Sequence, residues 1–72
     1  MKKFCDKLIV LRREKGLSQE QLAEYLEVSR QSVSKWEADK TMPEISKLIA
    51  ISGLFQVSLD YLLIDDCEKD RK

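Results

Sequence analysis

Seventy-two residues make one small domain, with no room for a second. With 43% hydrophobic and 36% charged residues the chain reads as soluble and globular, and one Pro with two Gly leaves little turn material for an all-β fold. Thirteen Lys and Arg balance thirteen Asp and Glu, His is absent and the only cysteines are Cys5 and Cys67; bulk charge announces no partner, and His-based catalysis, a Cys/His metal site and a disulfide framework are excluded.

The N-terminus offers only Leu8-Ile9-Val10-Leu11 before Arg12 and Arg13, short of the roughly 7–15 apolar residues of a secretory signal and the roughly 20 of a membrane span. A cytoplasmic location with reduced thiols is the expectation. Phe4, Leu8 and Leu11 recur at helical spacing, and Lys15-Gly16 supplies a stop. Ser18 followed by Gln21 is a capping-box pattern opening a second helix with Leu22, Ala23 and Leu26 on one face. Ser29 caps a third helix with Val33 and Trp36 buried, and Pro43 keeps Met42 out of helix. A fourth helix follows from about Glu44 to Gly53-Leu54, with Ile45, Leu48, Ile49 and Ser52 predicted on its inner face. Ser58 caps a short fifth carrying Leu59, Leu62 and Leu63. Five short helices give an all-α bundle over residues 1–64; residues 65–72 are a charged tail, expected to fray or to begin a linker.

The joint between the second and third helices is the informative part. Only Glu27-Val28-Ser29 separates them, so they cross steeply, and Ala23 is small enough for the close approach. The outward face of the third helix carries Arg30, Gln31, Ser34 and Lys35, with no acid among them. Arg pairs bidentately with guanine and Gln with adenine, which suits a helix entering a major groove. The same four residues also fit an ordinary solvated face.

The stretch from Leu11-Arg12-Arg13 through Ser18-Gln19-Glu20-Gln21-Leu22-Ala23, and then Val28-Ser29-Arg30-Gln31-Ser32-Val33-Ser34-Lys35-Trp36-Glu37, resembles the phage-repressor-like helix-turn-helix family, the Xre or Cro/C1 type. The likeness runs on through Pro43 to Leu59-Asp60-Tyr61-Leu62-Leu63. It implies a sequence-specific double-stranded DNA-binding regulator, a repressor. Arg30, Gln31, Ser34 and Lys35 would meet base edges, and Gln19, Ser29, Ser32 and Lys40 the DNA backbone. Arg12 and Glu37 would form a structural ion pair, and a palindromic operator would be bound by a homodimer. Two positions depart from the family pattern: Glu27 and Asp39 stand where glycine is common.

Leu59, Tyr61, Leu62 and Leu63 exceed what one short helix needs inside and are the expected dimer surface. No cofactor, metal, membrane or small-molecule substrate is implied, and no catalytic constellation is present. Charge leans toward the DNA reading only slightly: residues 1–40 carry nine basic and seven acidic side chains, and residues 41–72 four and six. Two further readings stand beside it. One is a protein-interaction module of the same fold, antitoxin-like or a scaffold; the other is a fragment of a larger regulator.

Overall fold

Serine hydroxyls open three of the helices, and left-handed residues close four. The computed structural model describes residues 3–64, which form α1 (Phe4–Glu14), α2 (Gln19–Leu26), α3 (Arg30–Glu37), α4 (Ile45–Phe55) and α5 (Leu59–Leu63). The backbone N–H of Gln21 donates to Ser18 Oγ at 3.0 Å, and the N–H of Ser18 donates to Gln21 Oε1 at 2.8 Å, a reciprocal capping box. Ser29 Oγ accepts from the Ser32 N–H at 3.2 Å, and Ser58 Oγ from the Tyr61 N–H at 3.0 Å. The expected charged tail at 65–72, and Cys67 within it, lie outside the described residues.

Each of the first four helices ends in the same closure. Gly16, Glu27, Asp39 and Gln56 have φ of 73°, 59°, 63° and 57°. The next N–H then reaches back five residues: Leu17 to the Arg12 carbonyl at 3.1 Å, Val28 to Ala23 at 3.0 Å, Lys40 to Lys35 at 2.9 Å and Val57 to Ser52 at 3.0 Å. This is the Schellman arrangement, which satisfies carbonyls that the helix leaves unpaired. A non-glycine residue pays on the order of 1–2 kcal/mol in this conformation. After Glu27 and Gln56 the following residue, Val28 or Val57, packs against the core and offsets that cost, and Leu17 packs likewise after Gly16, where the cost does not arise.

The core joins all five helices. Phe4 and Leu8 of α1 meet Leu22, Ala23 and Leu26 of α2 and Val33 and Trp36 of α3, so Trp36 is a packing residue. Leu48, Ile51 and Phe55 of α4 and Leu62 of α5 complete it. Here the structure corrects the sequence expectation. Ile45 and Ile49 are 62% and 55% exposed, and α4 buries the Leu48–Ile51–Phe55 row instead. Seven of the eleven positions of α4 are apolar and they fall all round the helix, so more than one stripe fits its periodicity; packing against α2 and α5 selects one. The helix also continues through Gly53 to Phe55.

In α5, Leu62 is fully buried and belongs to the core, not to an outer surface, and Leu59 is half-buried against that core. This short helix buries one side only, which leaves Asp60, Tyr61 and Leu63 outside.

Two lysines act where charge alone would put them in water. Lys7 is 1% exposed; its ammonium donates to the Tyr61 carbonyl at 2.6 Å and to the Ile64 carbonyl, and lies 4.9 Å from the centroid of the Tyr61 ring. Lys47 Nζ donates to the Leu26 carbonyl at 2.7 Å. Both meet the negative end of a helix, where a cation is favoured. Cys5 is a buried free thiol.

Candidate nucleic-acid interface

Val33 and Trp36 face the core, so the positions between them on α3 must face out. Arg30, Gln31, Ser34 and Lys35 share that outer face and, together with Ala38 and Lys40, line one open depression. Four expected base-reading residues and one expected backbone contact are thereby brought together. Three of the six lining residues are cationic and none is acidic. Among the described residues, nothing pairs with the side chains of Arg30, Gln31, Lys35 or Lys40, so their donors are open to an outside acceptor.

The acids sit elsewhere. Glu20 and Glu24 are exposed on α2, and Asp39 pairs with Lys3 at 3.2 Å. A neutral chain thus presents a locally basic face, which the charge total conceals.

Ser29 and Ser32 stand at the head of α3. Their hydroxyls are 3.2 Å apart, and Ser29 is occupied as the cap. Gln19 is the first residue of α2, and its Nε2 donates to Glu37 Oε1 at 3.0 Å. Glu37 in turn accepts from Arg12 twice, Nε to Oε2 at 2.7 Å and Nη2 to Oε1 at 3.2 Å. Arg12 Nη1 also donates to the Leu17 carbonyl at 2.8 Å. The pair ties the end of α1 to the end of α3, and its side chains are 13% and 6% exposed.

Glu37 as a partner of Gln19 escaped the sequence reading. Eighteen residues separate them, and no local spacing signals the contact. Tyr25 lines a second open depression with Leu17, Gln21 and Glu24. Among the described residues no group of three or more Cys, Asp or Glu is placed to hold a metal ion, and no helix is long and apolar enough to cross a membrane.

Comparison with known proteins agrees with this fold. A helix-turn-helix family model matches residues 8–62. The HTH-type transcriptional activator BcrR of Enterococcus faecalis is 52% identical over 60 residues, covering 83% of this chain and 29% of BcrR. The HTH-type transcriptional regulator ImmR of Bacillus subtilis is 36% identical over 55 residues, covering 76% of this chain and 43% of ImmR. The chain therefore spans well under two thirds of these relatives. Among solved structures, the P22 c2 repressor in complex with synthetic operator 9T superposes with a TM-score of 0.85 at 30% identity, over 92% of this chain and all of that one. A transcriptional regulator from Listeria innocua gives 0.81 at 32% identity, over 94% of this chain and 70% of that one. From α1 to α5, this chain belongs to the helix-turn-helix family of the phage-repressor kind, the Xre or Cro/C1 type.

Proposed function

We propose that the chain binds double-stranded DNA sequence-specifically as a transcriptional regulator in the cytoplasm, with α3 in the major groove and no catalytic role. The observation that carries this is the acid-free depression of Arg30, Gln31, Ser34, Lys35, Ala38 and Lys40 on a chain of zero net charge. The operator complex of the P22 c2 repressor supports the same reading. Arg30, Gln31, Ser34 and Lys35 read base edges; Gln19, Ser29, Ser32 and Lys40 hold the backbone, which fixes register without carrying sequence information. Repression is the simplest outcome, because occupying a site is enough to block it.

A single domain makes few base contacts, so a homodimer on a palindrome belongs to the proposal, with half-sites roughly 10 base pairs apart. Leu63 and Tyr61 are its exposed apolar contacts, beside the half-buried Leu59.

The test begins with a site selected from random duplexes. Gln31→Ala is expected to cost ~1–3 kcal/mol on that site and little on random DNA. Lys40→Ala is expected to lower the slope of log affinity against log salt by about 0.9. Equal losses from Gln31→Ala on every sequence would remove α3 as the reading element. The second reading, a protein-interaction module, draws support from the exposed apolar residues Met42, Ile45 and Ile49. Absence of any salt-dependent DNA binding would favour it.

A further inference from the structure

We infer that Glu37 is a positioning residue for Gln19, so that the ion pair joining α1 to α3 also sets the direction of the amide at the head of α2. The inference rests on the DNA-binding reading above, and the ligand it concerns is the phosphodiester backbone of a duplex.

Glu37 Oε1 receives both Gln19 Nε2, at 3.0 Å, and Arg12 Nη2, at 3.2 Å, while Oε2 receives Arg12 Nε at 2.7 Å. An ionised carboxylate only accepts. Gln19 can therefore meet it through nitrogen alone, since a flipped amide would set one oxygen against another. That choice leaves one Nε2 proton uncommitted. A phosphate also only accepts, so this proton is the one group of the Gln19 side chain that can serve it.

The carboxylate thus decides which end of the amide is presented, and it holds a side chain that would otherwise lose rotamer freedom on binding. Arg12 has a matching part. Without it, an uncompensated negative charge would stand beside the residue expected to meet a polyanion. Glu37 does this from inside: its side chain is 6% exposed and leaves little surface for DNA to touch.

Two measurements on the whole chain test the inference. In the free protein, the Gln19 side-chain amide protons should show shifts displaced from those of a free glutamine and slowed solvent exchange. In Arg12→Met/Glu37→Met, which removes both charges together and leaves neither buried alone, they should take the values of a free glutamine. Binding to short random-sequence duplexes at low salt then closes a mutant cycle. Gln19→Ala should weaken binding about fivefold in the wild-type chain, the worth of one hydrogen bond, and less than twofold in the paired variant. Should the paired variant not fold, Glu37→Gln replaces it: an amide there can turn either end toward Gln19, and the loss from Gln19→Ala should shrink likewise. Equal losses in both backgrounds, or free-glutamine signals in the wild-type chain, overturn the inference. Failure of the wild-type chain to bind any duplex overturns the DNA reading instead, while the amide signals still decide whether Glu37 orients Gln19.

Discussion

Cutting Arg12 back to alanine removes three hydrogen bonds at once. Two go to Glu37, at 2.7 and 3.2 Å, and one to the Leu17 carbonyl at 2.8 Å. What is left behind sets the magnitude. Glu37, with 6% of its side chain exposed, keeps only the Gln19 amide as a donor, too little for a desolvated charge. Breaking a buried pair from one side costs about 3–5 kcal/mol, and the surviving Gln19 bond puts this case at the lower end, about 3 kcal/mol. In a domain of this size each kcal/mol moves the melting temperature by roughly 4–8 °C, so a fall of roughly 12–24 °C is expected. Total stability at this length is on the order of 3–10 kcal/mol, which makes the loss a large fraction of it. Thermal and urea unfolding followed by far-ultraviolet circular dichroism measure it, with the urea slope unchanged if the variant keeps a two-state transition. Arg12→Met/Glu37→Met should regain most of the loss, because no lone charge stays inside. A melting temperature for Arg12→Ala within about 4 °C of wild type would refute the reasoning.

Glu27→Gly, at a residue that is exposed and has φ 59°, should relieve a left-handed strain and stabilise by about 0.5–1 kcal/mol after the added freedom of the unfolded chain is counted. A lower melting temperature would show that the Glu27 side chain contributes more than its strain costs. Leu63→Glu should leave the fold intact and weaken cooperative occupation of two half-sites in footprinting, whereas Leu62→Glu, at a fully buried position, should not fold. Unchanged cooperativity in the first variant would remove α5 as the dimer contact, and a folded second variant would contradict the core.

The sequence is most readable where one residue type has one physical use. Ser18, Ser29 and Ser58 are short hydroxyls ahead of apolar periodicity, and each is a cap. Leu22, Ala23, Leu26, Val33 and Trp36 alternate with polar residues, so only one stripe could be buried. In α4 that contrast is missing, and Ile45 and Ile49 could not be told from Ile51 and Phe55. Lys7 reads as a surface charge, because its partners are carbonyls at the far end of the chain. The left-handed Gln56 carried no signal either, since glutamine has no special tolerance for that conformation. At the candidate interface the four outward residues of α3 were legible from spacing. The Arg12–Glu37 pairing was suggested only by family likeness, and the bond from Gln19 exists only once α1, α2 and α3 have been assembled.

The repeated helix closure has one member unlike the rest. After α1, α2 and α4 the residue whose N–H reaches back five positions is apolar, and its side chain works as an anchor. After α3 that residue is Lys40, and it points into the depression. The main-chain N–H at Lys40 is therefore held by the same bond as at Leu17, Val28 and Val57, although its side chain lies in water. A lysine on a loop usually brings a wandering backbone to whatever it meets; this one has only its own four methylenes to order. Amide exchange at Lys40 should accordingly be slow for an exposed loop residue, with its charge delivered from a backbone already tied to the end of α3.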